Sequence, residues 1–231
     1  VADAIQTDIH SIELVGPDTD LTPDAGKTSA SRQTFISGEA ASLAGKALRE
    51  KILRHANVGE NARIKSGPTG LYIEDSKRYH QVDLCHLPLD EFGYVLSVQE
   101  SYDPVTTPLD ENGQGDPYAL YGYGVQIAEL TVDTELGTVI IDRITAAHDV
   151  GKAVNPTLVE GQIEGGIAQG IGLALMEEYL PGVTNNLHDY LIPTIGDMPD
   201  IDIFIVEDKA CDVPNGIKGL GEHVLIPTAP A

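Results

Sequence analysis

His148-Asp-Val-Gly-Lys-Ala-Val-Asn-Pro-Thr-Leu-Val-Glu-Gly-Gln-Ile-Glu-Gly-Gly-Ile-Ala-Gln-Gly-Ile-Gly-Leu-Ala-Leu-Met-Glu-Glu-Tyr-Leu180 is the stretch on which the reading of this chain turns. A strand ends in His148-Asp149, and Asn155-Pro156 follows, a pair that can open a helix. Gln162 then lies among glycines 161, 165, 166, 170 and 172. Each glycine costs a helix interior about 1 kcal/mol against alanine. The pattern therefore predicts that another element or a ligand comes close to this backbone.

Working outward, Gln126–Val132 and Gly137–Ala147 alternate apolar and polar residues around Asp133-Thr-Glu-Leu136, which predicts an antiparallel hairpin that delivers His148 and Asp149 to the turn before the helix. Ile201–Val206 predicts one more strand. From Ser37 onward helix formers dominate, with Ala40, Leu43, Ala47, Leu48 and Ile52 on one face. Residues 1–15 alternate around Ile5, Ile9, Ile12 and Leu14, and an extended segment is expected there, followed by a loop. Asn57–Ser66 reads as a connection, and Leu71–Ile73 and Gln81–Leu84 as short strands. Within 86–124 a weak helix or strand is expected before a loop holding Pro104, Pro108, Gly113, Gly115 and Pro117. Strands mixed with two long helices make the class α+β.

The chain of 231 residues can bury one substantial core or two small ones, and two subdomains, about 1–120 and 121–231, are one expectation. Fourteen basic against thirty-six acidic residues give a formal charge of −22, which repels nucleic acid and acidic membrane surfaces; a salt-adapted source is the lesser reading of that charge. No apolar run approaches the roughly 20 residues that span a bilayer. Cys85 and Cys211 stand far apart, too few for an iron–sulfur cluster held by this chain alone. Free thiols in the reducing cytoplasm are favoured over a disulfide between them.

Glu222 lies in Gly219-Leu-Gly-Glu222, where glycines let a carboxylate project from closely packed backbone. Taken alone, a loop glutamate is most often a solvated surface group. Gln162 lies near the positive end of its helix, a place that suits anionic or polar ligand atoms, and its ordinary reading is a surface glutamine. Ser29-Ala30-Ser31-Arg32-Gln33 combines exposed main-chain N–H groups with hydroxyls, a plausible ligand cradle, although an ordinary serine-rich helix entry is the commoner outcome. Among the glycines, helix packing against a sheet accounts for 166, 170 and 172, while 161, 165 and 166 are candidates for ligand approach. His148 is a lone histidine beside one aspartate and is read as structural, with no direct metal ligand assigned in the chain.

Three segments in one order, Thr28-Ser-Ala-Ser-Arg-Gln-Thr34, His148–Leu180 and Lys218-Gly-Leu-Gly-Glu-His-Val-Leu-Ile-Pro-Thr228, resemble the molybdenum hydroxylases, the family of xanthine dehydrogenase, aldehyde oxidoreductase and nicotinate dehydrogenase. The resemblance covers most of the chain. It implies the C-terminal region of a molybdopterin-binding large subunit spanning 1–231, with molybdenum held through the pterin dithiolene. It also implies Glu222 as the general base beside the metal, suited to that work if partial burial raises its pKa. Gln162, Ala30, Ser31, Arg32 and Gln33 are implied to bind the cofactor, with Thr28 weaker and Ala30 beside the substrate pocket. His188 and Tyr190 match a segment that lines the approach to the site.

The family's earlier Gly-Phe-Gly-Gly and Gly-Gln-Gly loops do not occur here, so the expectation is a region completed by an upstream segment or a separate molybdopterin-binding subunit. His223 stands where many relatives carry proline, which bears on the shape of the loop. The implied activity is hydroxylation of an electron-poor carbon in an N-heterocycle such as a purine or nicotinate, with water as oxygen source. The cofactor is implied as molybdopterin, alone or as its cytosine dinucleotide, with 2Fe-2S clusters and FAD on an iron–sulfur subunit and a flavin subunit. Alternatives are aldehyde oxidation, reductive chemistry on an aromatic thioester, or a noncatalytic assembly module.

Overall fold

The computed structural model describes residues 1–16, 18–76, 78–208 and 213–231. Backbone contacts divide the chain into two compact units, Val1–Lys27 with Ile36–Asp103, and Thr28–Phe35 with Pro104–Ala231. The eight residues from Thr28 thus belong to the second unit, although their neighbours on both sides belong to the first.

In the first unit a one-turn helix, α1 (Ala2–Ile5), precedes the long helix α2 (Gln33–Ala56), whose opening residues Gln33–Phe35 count with the second unit. An antiparallel sheet of β1 (Arg63–Gly67), β2 (Gly70–Asp75) and β3 (Arg78–Asp83) follows in that order. Ile5, Ile52, Leu53, Ala62, Ile64, Ile73 and Val82 form its core. Arg49 of α2 is buried, and its guanidinium donates to the carbonyls of Ile5, Glu60 and Ala62 at 2.7–2.9 Å. One side chain thus ties the N-terminal turn and the approach to β1 onto the helix. Gly45 makes room for α1, since a Cβ there would lie 2.8 Å from Ala4 Cβ.

The extended segment expected over 1–15 is not formed. Residues 2–5 are helical, and Ile9–Ser11 make a 3₁₀ turn that the Asp8 side chain caps by accepting from His10 N–H. Only Ile5 of the four alternating apolar residues is buried, so their period never defined a buried strand face. The connection expected over 57–66 holds β1 instead. Its alternation carries one buried apolar residue, Ile64, between exposed Arg63 and Lys65, too little hydrophobic signal to stand out. Between the 3₁₀ turn Leu84–His86 and β4 no helix or strand forms, so the weak element expected there is absent among the described residues.

The second unit holds the predicted hairpin, β4 (Gly124–Asp133) and β5 (Thr138–Asp149), antiparallel with a register shift between Glu129 and Leu130. Helix α3 (Pro156–Leu175) carries the chain to β6 (Asp200–Val206), which pairs parallel with β5. A parallel pair needs such a crossover. Asn155 caps α3 by accepting from Leu158 N–H at 3.2 Å, with Pro156 in the first turn. Ile163, Ile167 and Ile171 of α3 pack with Ile144 and Ala146 of β5 and with Leu220 and Val224 to form the core. The α+β class read from the sequence holds.

The later glycines of α3 leave space, but for a different neighbour than a sheet. A Cβ on Gly166 would lie 2.6 Å from Val224 Cβ, one on Gly170 2.3 Å from Thr228 Cβ, and one on Gly172 2.3 Å from Glu177 Oε1. For Gly166 and Gly170 the packing element is the C-terminal segment, including the 3₁₀ turn His223–Leu225, and for Gly172 it is Glu177 with Pro193. Gly161 and Gly165 have nothing within 4 Å of a built Cβ.

Candidate active site

The end of β5 and the segment before Glu222 are joined by backbone. Gly151 forms an antiparallel bridge with Ile217, Lys218 N–H donates to the Val150 carbonyl at 3.0 Å, and Lys152 N–H donates to that of Gly216. Gly151 has φ +63°, and a Cβ there would meet the Gly216 carbonyl oxygen at 2.2 Å, so only glycine permits this approach. The bridge carries Lys218-Gly-Leu-Gly-Glu222 to the start of α3.

From the other side comes Thr28–Phe35. Ala30 (φ 57°) and Ser31 (φ 51°) are consecutive left-handed residues, neither of them glycine, at a cost of about 1–2 kcal/mol each. The double reversal turns both residues toward Glu222. Ala30 N–H donates to Glu222 Oε1 at 2.9 Å, and Glu222 N–H donates to Ser31 Oγ at 2.8 Å. The glutamate is held reciprocally, by its carboxylate and by its own backbone, while its second carboxylate oxygen has no hydrogen bond among the described residues.

Gln162 completes the group. A Cβ on Gly221 would fall 2.6 Å from Gln162 Oε1 and 2.9 Å from Ser31 Oγ, so the glycine before Glu222 marks the point on which both side chains converge. Around them lies a cleft of about 480 Å³ whose walls include Ser31, Gln33, Gln162 and Glu222. Gln33 Nε2 donates to Thr28 Oγ1 at 2.8 Å, which ties the two ends of the segment together.

Of the residues singled out in the sequence, Ser31, Gln33, Gln162 and Glu222 line the cleft, and Ala30 meets Glu222 through its N–H. Arg32 is exposed and is not among the lining residues. His188 and Tyr190 also lie outside the lining, and the Tyr190 hydroxyl donates to Glu177. Glu222 itself is exposed, so the partial burial expected of it is not provided by the described residues. Lys152 and Asn155 line the cleft as well and were not read as site residues. Asn155 already had a sufficient role as a helix cap, and Lys152 is exposed and carries no motif of its own.

At the wall of the cleft, which Lys218 helps to line, Asp149 and Lys218 form a buried ion pair, with the Lys218 ammonium 5.2 Å from the centre of the Tyr123 ring. Burial pushes the Asp149 carboxyl up, but hydrogen bonds from the Lys218 ammonium and the Gly151 N–H outweigh it and hold the carboxyl below its usual range. His148, fully buried, is pushed down to about 4 by desolvation and by neighbouring His223. His223 is shifted down by burial too, against the pull of Asp149. Cys85 is exposed and free, and Cys211 lies outside the described residues. Among the described residues no cluster of three or more His, Cys, Asp or Glu side chains is placed to hold a metal, and no helix is long and apolar enough to cross a membrane.

Residues 1–199 match the model of a molybdopterin cofactor-binding domain. A putative xanthine dehydrogenase molybdenum-binding subunit of Escherichia coli (strain K12) is 33% identical over 100% of this chain and 31% of its own length. The 6-hydroxypseudooxynicotine dehydrogenase complex subunit gamma of Paenarthrobacter nicotinovorans is 32% identical over 98% of this chain and 29% of its own length. The chain therefore spans about a third of the length of these curated relatives. In structure it is similar to the aldehyde oxidoreductase of Desulfovibrio desulfuricans, with a TM-score of 0.70 and 28% identity over 90% of this chain and 21% of that one. By the family match over most of its residues, the chain belongs to the molybdopterin cofactor-binding domain family of xanthine dehydrogenase-type proteins.

Proposed function

We propose that this chain forms part of the catalytic site of a molybdenum hydroxylase that oxidises an electron-poor carbon of an N-heterocycle, purine-like or nicotinate-like, with Glu222 as general base. The observation that carries the proposal is the reciprocal hold on Glu222 by Ala30 and Ser31 at the edge of a cleft shared with Gln162. An orphan surface glutamate has no need of two left-handed residues in succession.

The residues present suit the cofactor. Ser31 and Gln33 supply hydroxyl and amide donors, Gln162 adds an amide near the N-terminal end of α3, and Gly221 keeps the space between them free of a side chain. Molybdopterin, with or without a cytosine nucleotide, would be held by these groups with Ala30 and exposed Arg32 at its margin, and bound molybdenum supplies Lewis acidity and accepts two electrons. Glu222 Oε1 would stay fixed by the Ala30 N–H while the other oxygen takes the proton of the water-derived hydroxyl; as the oxygen bonds to the substrate carbon, the C–H bond there breaks and its hydrogen leaves with the electron pair, which the bound cofactor would accept. Ala30 stands beside the substrate. 2Fe-2S clusters and FAD on partner units would supply the route by which those two electrons leave.

The outer face of the β4–β5–β6 sheet supports an assembly. Val125, Ile127 and Phe204 are each at least 60% exposed, and Val125 and Phe204 flank Ala147 in register. An apolar strip across three strands calls for a cover. We assign that cover to further molybdopterin-binding polypeptide, with the whole chain acting as one region of it, in a cytoplasmic complex where the exposed Cys85 thiol stays reduced. Aldehyde oxidation is the second reading, favoured by the structural likeness to an aldehyde oxidoreductase.

The test is Glu222→Gln in the complex that this chain purifies with. Turnover falls by about 10²–10⁴-fold with molybdenum and pterin retained. Unchanged turnover removes the base assignment, and absence of molybdenum and pterin from an intact complex turns the reading to an assembly module.

A further inference from the structure

We infer that His223 is a positioning residue for Glu222, anchored by a buried chain of side-chain hydrogen bonds that runs from Thr228 through Gln126 and His148. The inference rests on the reading of Glu222 as the base.

The chain can be followed atom by atom. Thr228 Oγ1 donates to Gln126 Oε1 at 2.7 Å, and Gln126 Nε2 donates to the Val224 carbonyl at 2.8 Å, which sets the orientation of the amide. The second hydrogen of that amide faces His148 Nε2 at 3.3 Å, so this nitrogen accepts. Neutral His148 then carries its proton on Nδ1, which lies 3.3 Å from His223 Nε2 and donates to it. The two rings are near parallel, with centroids 5.2 Å apart and planes inclined by 22°. Gln126, His148 and Thr228 are all buried, and no buried side-chain nitrogen or oxygen among the described residues lacks a partner.

The surrounding backbone is shaped for this pair. A Cβ on Gly122 would lie 2.1 Å from His223 Nδ1, and one on Gly124 2.4 Å from His148 Nδ1. The glycines of Tyr121-Gly-Tyr-Gly124 therefore form a slot for two imidazoles, a role that neither the cleft nor the cofactor readings absorb. His223 directly follows Glu222 and opens the 3₁₀ turn His223–Leu225, so fixing its ring fixes the peptide from which the carboxylate projects. Charged and titratable groups around the pair are Asp149 beside His148, Lys218 on Asp149, and Glu222 itself. Burial keeps both imidazoles neutral at neutral pH, and neutrality is what the donor order requires.

The experiment compares His223→Phe, His223→Gln and Glu222→Gln in the purified complex. It reads kcat and KM from pH 5 to 9, metal content, and backbone amide exchange over residues 219–225. Phenylalanine keeps the stack and removes the acceptor. It is expected to lower kcat about tenfold with KM within about twofold, and to speed exchange of the 219–225 amides. Glutamine offers Oε1 to His148 Nδ1–H and is expected to restore both. Wild-type kcat and exchange in His223→Phe overturn the inference, as does a glutamine variant no better than phenylalanine. Retained turnover in Glu222→Gln removes the base reading alone. The exchange contrast between the two His223 variants then decides whether the ring pair holds the turn: its presence sustains that hold and its absence overturns it.

Discussion

Each unit buries a polar network, and the two are built for different ends. In the first unit the guanidinium of Arg49 serves three backbone carbonyls. In the second, the Asp149–Lys218 pair and the chain Thr228–Gln126–His148–His223 adjoin the turn that carries Glu222, and most of their members titrate or depend on a neighbour's protonation. A fixed charge that saturates backbone acceptors is a staple. Groups joined side chain to side chain set a geometry, at the cost of making it sensitive to pH.

The comparison breaks most sharply when one partner is removed from each network. Lys218→Met leaves the Asp149 carboxylate buried without its ammonium and is expected to cost about 3–5 kcal/mol, read as a drop in the urea midpoint. Arg49→Met leaves three carbonyls without their donor and should cost about 2–3 kcal/mol. A loss in Arg49→Met larger than that in Lys218→Met would reverse the ranking.

Acid sharpens the contrast. His148 titrates near 4 in the folded chain against 6.5 unfolded, so between those values the unfolded state binds more protons. Stability of the second unit is therefore complete above about pH 6.5 and falls toward pH 4, by at most about 1.4 kcal/mol per pH unit for this one group. Asp149 runs the same way but lower. Its folded pKa lies under 3.8, so its contribution is present above that value and is lost only as the pH drops through the depressed one. Thermal melts from pH 7 to 4 should show the slope, and His148→Leu should flatten it. An equal slope in that variant would assign the acid response elsewhere.

The smallest effects come from the glycines of α3, which separate a crowded face from an open one. Gly166→Ala drives a methyl against Val224 and should cost about 1–3 kcal/mol. Gly165→Ala, with nothing within 4 Å, should gain about 0.5–1 kcal/mol from helix propensity. A loss at Gly165 in the assembled complex, absent from the chain alone, would show that a partner or cofactor packs on the open face.

Much of this was legible before any coordinates. Helix α2, the hairpin, β6 and the Asn155-Pro156 start of α3 could be read because each carries a strong local period or cap. The α1 turn and β1 could not. The first hides under an alternation that buries only Ile5, and the second under a strand with one buried apolar residue. Within the site, Glu222, Gln162, Ser31 and Gln33 stood out through their motifs, whereas Lys152 and Asn155 had no signal beyond charge or capping.

By itself the sequence determined the class, the order of the second unit's main elements and the three motifs that carry the family, because periodicity, caps and glycine runs act over a few residues and are written in neighbouring letters. Only the tertiary structure decided that Glu222 is held by residues 191 and 192 positions away, and that His148 finds His223 across 75. Those pairings depend on Gly151 admitting the Gly216 carbonyl and on Gly122 and Gly124 admitting two rings. Such meetings are set by packing of distant backbone, for which no local pattern exists.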